Sequence, residues 1–318
     1  MTARPRNSRW SREPKRDAQG EPALARIGDG DIEIFRILAR YRYLPCDYVA
    51  ALTGRSLPAM QARLELLCRK PNSFIDRPPQ QRANAAANSR RMVYALDEKG
   101  AAELRARGAP APPSKFRRHF AHELHACLIA ASFEIATRFD PRIRIISWRE
   151  LIYSSQMPEA TKRLESPQAI PFARAGRAET VVSDWPPFVI ERNLASRSFV
   201  FVGGIEADCG TEPLESADAD RAAIRNKFAA YLACLEQDVP RCHFGATTFV
   251  IPFVTTSEAR MRSMIDLLDR LRPGTFARRF LFKHVPSFTS AESPKPATGH
   301  MLIEPWARAG YEPFSFVE

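Results

Sequence analysis

The basic residues of this chain crowd into one end, and that partition points to two bodies with different roles. Residues 1–118 carry 24 Lys and Arg against 12 Asp and Glu, a net of +12. The remaining residues carry 23 against 24, a net of −1. A length of 318 residues agrees, because domains of roughly 100–200 residues make two the natural number. An apolar fraction of 45% is enough to give each its own core.

A positive field localised in this way favours a polyanion, since Lys and Arg that neutralise phosphates release condensed counterions. Double-stranded DNA is the partner it suggests. An anionic membrane surface is the rival, but no basic amphipathic helix with a broad apolar face supports it. No run approaches the ~18 apolar residues of a membrane span. The leading cluster Arg4, Arg6, Arg9, Arg12, Lys15 and Arg16 has no apolar stretch behind it, unlike a secretory signal. Cys46, Cys68, Cys127, Cys209, Cys234 and Cys242 form no CxxC pair, so reduced thiols in a cytoplasmic protein are the reading.

Residues 1–27, rich in Arg, Pro and Ser, read as a disordered basic arm. Asp31 is a plausible N-cap for a helix with Ile32, Ile34, Phe35, Leu38 and Ala39 on a helical period, ended by Pro45. A short helix follows over about 46–53, stopped by Thr53-Gly54. A third opens at Ser56 or Leu57, with Met60, Leu64, Leu67 and Cys68 turned inward. After a polar stretch over 77–90 comes a strand, Met92–Leu96, then Asp97-Glu98-Lys99-Gly100 opening another helix to about Arg107. Three helices and a two-stranded wing are the layout of a winged helix-turn-helix, here residues 28–108. In that layout the third helix, with Arg55, Gln61, Arg63, Arg69 and Lys70, enters the major groove. The wing, with Arg82, Arg90 and Arg91, lies along the backbone. A winged helix used only for protein contacts is the alternative.

Prolines 110, 112 and 113 mark a linker over 109–115. Downstream, a helix over 116–138 precedes a strand near Ile143–Trp148 and a hairpin pairing Thr180–Ile190 with Ser198–Glu206. A long helix over 219–237 then leads to a strand over 246–254, a helix over 257–272 and a short strand near 279–285. Strands alternating with helices indicate an α/β or α+β mixed-sheet domain over 116–285. Residues 286–318 read as an irregular tail.

One constellation in this second part can carry chemistry. Phe199–Ile205 is an apolar strand, broken only by Gly203-Gly204, that closes on Glu206 and Asp208. Residues i and i+2 of a strand share a face, and a pairing hairpin would bring Asp184 beside them. Three converging carboxylates suit Mg²⁺ or Mn²⁺, hard cations that polarise a phosphate and acidify a bound water. On the following helix Lys227 is placed to stabilise charge developing on phosphorus, with Tyr231 one turn further on the same face. Each residue also has a plainer reading: Asp184 as a turn acid before Pro186, Lys227 as a solvated helix residue, Glu150 as structural. His119, His122 and His125 recur at i, i+3, i+6. Two of them can share a metal in principle, but no cysteine or carboxylate partner is identifiable, and His122 reads as packed or hydrogen-bonded.

An acid on one strand, Glu-x-Asp-x-Gly-Thr closing the next, then Lys-x-x-x-Tyr on a helix resembles the replication-relaxation family. The matching residues are Asp184, Glu206, Asp208, Gly210, Thr211, Lys227 and Tyr231, and with the winged helix the resemblance covers about residues 30–255. His122 with Leu124, and Trp148 with Glu150, are similar to weaker family landmarks. The resemblance implies a restriction-endonuclease-like PD-(D/E)xK domain behind a winged helix, and relaxases that nick plasmid DNA during mobilisation. Two departures stand out: Ser183 replaces the usual proline, and Asp208 takes the place of the lysine two residues after Glu206, leaving Lys227 as a migrated substitute.

The expectation is therefore a DNA-binding protein of a plasmid or mobile element. It would be a metal-dependent site-specific nickase with Asp184, Glu206 and Asp208 on the metal and Lys227 at the transition state. The alternatives are a non-catalytic replication or transcription regulator on a degenerate nuclease-like domain, and a nuclease for defence or repair. Relaxosome or replication proteins are possible partners, and a homodimer is open to the chain, though nothing specifies its surface. No GxxxxGK[ST], GxSxG or HExxH motif points elsewhere.

Overall fold

The computed structural model describes residues 9–110, 119–174, 176–194, 196–216, 223–290 and 292–318. Outside these lie residues 1–8 of the expected arm, most of the expected 109–115 linker, the start of the expected 116–138 helix, and residues 219–222 of the expected long helix. The chain divides into two compact units, Met1–Phe120 and Ala121–Glu318. Both mix helices with strands. No described helix is long and apolar enough to cross a membrane.

In the first unit, α1 (Asp29–Tyr41) begins two residues before the expected cap. Gly28 is the N-cap, and the Asp31 carboxylate, at N3, accepts the Gly28 N–H at 2.9 Å. Strand β1 (Leu44–Pro45) leads into α2 (Cys46–Thr53), which Gly54 closes in the left-handed conformation (φ 69°). Helix α3 (Leu57–Cys68) carries Pro58 in its first turn, where the missing N–H costs no bond. Strand β2 (Ile75–Asp76) follows.

The polar stretch over 77–90, whose Arg82 and Arg90 the sequence reading assigns to the wing, forms two short helices, α4 (Pro79–Ala83) and α5 (Ala85–Ser89). A buried amide explains this. Gln81 donates to the carbonyls of Ala87 at 3.0 Å and Arg91 at 2.8 Å, and accepts the Val93 N–H at 2.9 Å. The chain is thus folded around a polar group that must be satisfied once buried. Strand β3 (Val93–Leu96) pairs antiparallel with both β1 and β2 in a three-stranded sheet of order β1-β3-β2, and α6 (Glu98–Ala106) closes the unit. Ile34, Phe35, Leu38, Val49, Leu52, Met60, Leu64, Leu67, Ile75, Val93 and Leu104 form its core, all essentially inaccessible.

The expected disorder of the 1–27 arm does not extend to residues 9–27. Arg9 donates to the carbonyls of Asn88 at 2.7 Å and Arg90 at 2.6 Å, and the Trp10 indole donates to Asn88 Oδ1 at 2.8 Å. Lys15 pairs with Glu65 at 2.5 Å and Arg12 with Asp76. Asn72 receives the Ala25 N–H and donates to the Ala23 carbonyl. Low apolar content is here offset by specific polar anchors.

The second unit opens on α7 (Phe120–Thr137), β4 (Ile143–Ile146), α8 (Trp148–Ile152) and α9 (Glu159–Lys162). A separate hairpin, β5 (Ile170–Arg174) with β6 (Arg177–Val181), lies where the sequence shows no clear pattern. The expected pairing of Thr180–Ile190 with Ser198–Glu206 narrows to β7 (Phe188–Asn193) against β8 (Arg197–Val202). Then come β9 (Glu206–Ala207), α10 (Ile224–Glu236), α11 (Val239–Phe244), β10 (Phe249–Thr255), α12 (Glu258–Arg270) and β11 (Phe280–His284). The final residues form α13 (His300–Ile303), β12 (Trp306–Arg308) and β13 (Tyr311–Phe314).

These strands build one mixed eight-stranded sheet, ordered β13-β12-β11-β10-β8-β7-β4, with β9 also on β10. Strand β10 is parallel to β8, β9 and β11, and the flanking pairs are antiparallel. The expected irregular tail is thus partly sheet. Trp306 and Phe316 are wholly buried against Phe133 of α7, and about 25 cal/mol per Å² of apolar area favours that docking. Lys283 of β11, itself buried, donates to the His300 and Glu304 carbonyls at 3.0 and 2.9 Å and so fastens the α13 turn.

Candidate active site

Asp184 lies in the segment between β6 and β7, 22 residues before Glu206, and main-chain bonds hold the two together. Trp185 and Ile205 exchange N–H···O bonds of 3.2 and 3.1 Å as an isolated antiparallel bridge. Gly203 and Gly204 allow it. A Cβ on Gly203 would lie 2.0 Å from the Phe249 ring. Gly204 (φ +118°) has no space either, since its Cβ would lie 2.0 Å from Ser183 Oγ. Between β8 and β9, which both pair with β10, the chain advances four residues (Val202 to Glu206) where β10 advances three (Val250 to Phe253), and Glu206 returns to the sheet beside Phe253.

Four side chains meet there. Lys227 Nζ on α10 lies 3.0 Å from Glu206 Oε2, 3.5 Å from Glu212 Oε2 and 3.8 Å from Asp184 Oδ2. Tyr231, one helical turn beyond Lys227, donates its hydroxyl to Glu206 Oε1 at 2.6 Å. Asp184 Oδ2 also accepts the Ala207 N–H at 2.9 Å, and its Oδ1 bonds His122 Nε2 on α7 at 2.8 Å. Glu206 is almost wholly buried, whereas Lys227 and Asp184 keep about a fifth to a quarter of their side chains open.

Burial pushes the Glu206 carboxyl up to about 7, against the pull of the Lys227 charge. Burial also works against the Lys227 ammonium, yet Glu206, Asp184 and Glu212 together hold its pKa above the ordinary lysine value. Desolvation would raise Asp184, but the His122 hydrogen bond and the Lys227 charge bring it below the usual range. His122, hydrogen-bonded to Asp184 and to Cys209, is raised to about 10 and is an imidazolium at neutral pH. His125, fully buried, is pushed down to about 4 by desolvation and stays neutral.

Asp208, the third expected metal ligand, does not join the carboxylates around Lys227. Arg260 of α12 grips both its oxygens, Thr255 donates to Oδ2 at 2.6 Å, and the Gly210 N–H reaches Oδ1 at 3.1 Å. Burial raises Asp208, but Arg260 and Thr255 outweigh it and lower its pKa. Strand β9 ends at Ala207, and the partners Asp208 meets come from β10 and α12 rather than α10. Glu212, four residues on, is the third acid at the ammonium. No periodicity marks it, though it directly follows the Gly210-Thr211 of the motif. The carboxylate partner that the sequence does not reveal for His122 is Asp184. His119 is exposed. Glu150 caps α8 through Ser147 and pairs with Arg144 at 2.6 Å, a structural arrangement.

Lys227 stands between its three acids, and among the described residues no three His, Cys, Asp or Glu side chains are gathered as a metal-ligating group. The donor chemistry nonetheless suits Mg²⁺ or Mn²⁺. All three are hard carboxylates, and the buried Glu206 Oε2 and Glu212 Oε2 both face the Lys227 ammonium. No protein-family model, curated protein or solved structure matches the chain.

The expected DNA contacts in the first unit separate into two sets. Arg63 is committed to Asp31 through two bonds of 2.7 and 2.6 Å. Arg69 is buried on Glu65 and the Glu13 carbonyl. Arg55, Gln61, Lys70, Arg82 and Arg91 are exposed, with Arg91 3.3 Å from Asp47 and Gln61 near Cys46 Sγ. Arg90 is half-buried, its carbonyl receiving Arg9. On α3 itself, Pro58, Ala59, Gln61 and Ala62 face solvent, so the free charge sits around that helix rather than along it.

Proposed function

We propose that this chain is a DNA-binding protein of a plasmid or mobile element. In this reading its first unit is a winged helix that holds the duplex, and its second a restriction-endonuclease-like domain that nicks an adjacent strand. The observation that carries the reading is the meeting of Asp184, Glu206 and Lys227, drawn from a loop, a strand and a helix. Two further features support it: Glu212 as a third hard carboxylate at the same ammonium, and the +12 net charge of residues 1–118.

Asp184, Glu206 and Glu212 would hold Mg²⁺ or Mn²⁺, which when bound polarises the scissile phosphate and acidifies a water. Lys227, whose ammonium faces all three acids, would offset negative charge developing on the phosphate oxygens. Tyr231 keeps Glu206 oriented through its hydroxyl. His122, charged and hydrogen-bonded to Asp184, fixes that carboxylate and adds a second cation facing a phosphate. Asp208 takes no part in ligation.

A second reading has its own support. Arg260 fully occupies Asp208, and Lys227 already offsets the charge of the remaining acids, as in a nuclease-like domain retained for binding alone in a replication or transcription regulator.

Nicking of supercoiled plasmid carrying candidate origin DNA separates the two. Wild type with Mn²⁺ or Mg²⁺ converts it to open circles, EDTA abolishes this, and Glu206→Ala and Asp184→Asn do not cut. Duplex that is shifted but left intact in every metal would favour the regulator.

A further inference from the structure

We propose that Arg260 is a positioning residue that sets Glu212 among the carboxylates of the site, an inference that rests on the metal-dependent reading above. One guanidinium spans both ends of the turn from Asp208 to Glu212. Its Nε and one terminal nitrogen take the two Asp208 oxygens, and that same terminal nitrogen donates to the Glu212 carbonyl at 2.5 Å. The turn between is tight: Gly210 is left-handed (φ +77°), and its N–H closes on Asp208 Oδ1. The Asp208 N–H still bonds the Val254 carbonyl at 2.8 Å, so one end of the turn belongs to the sheet.

Glu212 has no such anchor of its own. Its side chain is 31% open, and its only ionic neighbour among the described residues is Lys227, whose ammonium lies 3.5 Å from Oε2. An acid on a loop meets a site with sub-ångström accuracy only if its backbone is fixed, and a planar fork does this with a direction that an ammonium lacks. Arg260 is itself held, its side chain 19% open and at the first turn of α12, whose cap Ser257 accepts the Arg260 N–H. Asp208 is therefore a handle for the loop, and Glu212 is what the loop delivers. Arg260 touches neither Lys227 nor a reacting atom in this arrangement; it acts through Glu212.

The test is a double-mutant cycle on the full chain, read two ways. In Mn²⁺ titrations followed by electron paramagnetic resonance, Glu212→Gln, which alters a ligand, and Arg260→Ala, which removes the group that orients it, each weaken binding by about tenfold or more. The double variant binds no more weakly than either. Arg260→Lys, which keeps a charge for Asp208 but lacks the fork, fails to restore the affinity. In metal-free thermal unfolding, Glu212→Gln lowers the melting temperature of the wild type and has no further effect in the Arg260→Ala background. Additive losses in either measurement, or wild-type Mn²⁺ affinity in folded Arg260→Ala, would overturn the assignment. Absence of Mn²⁺ binding in the wild type would sink the metal-dependent reading alone, and the unfolding cycle would still decide the role of Arg260.

Discussion

Lys227→Met tests the charge balance of the site most directly. The methionine keeps most of the stem volume and removes the one ammonium that Asp184, Glu206 and Glu212 share. Breaking one side of a buried ionic cluster costs about 3–5 kcal/mol, because uncompensated charge stays behind. Lys227 is 24% open, and Glu206, already raised by burial, is able to relieve the site by taking a proton. The lower end, about 3 kcal/mol, follows, or roughly 6–12 °C of melting temperature for a unit of this size. Trp148, Trp185 and Trp306 all lie in the second unit, with Trp185 next to Asp184, so tryptophan fluorescence follows the relevant transition. Divalent cation should then reverse the order of effects. With the ammonium gone, Mn²⁺ at 100 times its dissociation constant restores about 2.7 kcal/mol, whereas the wild type, where Lys227 competes, gains less at the same concentration. A Lys227→Met protein as stable as wild type in EDTA would refute the reasoning, as would equal Mn²⁺ stabilisation of both.

Four further outcomes follow from the geometry. Trp306→Ala, which empties a fully buried site between Phe133 and Phe316, should cost about 3–5 kcal/mol in chemical denaturation and loosen β12 and β13 first in hydrogen exchange. Asp31→Asn should cost about 1.5–3 kcal/mol through its charged bonds to Arg63. Hydrogen bonds to Arg63 and Gly28 overcome burial and lower the Asp31 pKa, so its contribution is complete above about pH 4 and disappears as pH falls through the folded value. His300, pushed down to about 4 by burial, is neutral when folded, so stability should decline as pH drops from about 6.5 to about 4, by up to about 3 kcal/mol, and His300→Asn should flatten that window. Charge reversal at Arg55, Lys70 or Arg82 should weaken duplex binding in mobility shifts and lower the salt slope by about one per phosphate contact, while reversal at Arg63 should act through stability instead.

What could be read from the residues was what local pattern determines. Helices α1, α2 and α3 follow from apolar spacing, Pro58 and Gly54. The Lys227–Tyr231 spacing placed two side chains on one face, and both reach Glu206. Helices α4 and α5 were hidden because Gln81 and Ala87 are their only buried residues, and a lone buried glutamine leaves no periodic trace. The ordered arm and the final strands depend on partners far along the chain: Asn88 for Arg9 and Trp10, Phe133 for Trp306 and Phe316. Charge was the least transferable signal. Arg63 and Arg69 count toward the basic field, yet each is consumed by an internal acid. Asp208 and Glu212 exchange roles for a related reason, since which of two loop acids meets Lys227 is settled by Arg260, some fifty residues downstream.

The bridge between Trp185 and Ile205 joins two segments by peptide groups alone, with glycines rather than side chains making room. The spacing of residues 184 and 206 is accordingly set first by the scaffold, with the Asp184 carboxylate adding one bond from the Ala207 N–H. Asparagine installed at 184, which keeps an oxygen for the Ala207 N–H, should inherit the same placement. Under the proposed metal-dependent reading, the two positions would form a socket whose ligands can be exchanged one at a time, so that affinity for softer metals, or for none, would become a matter of residue choice.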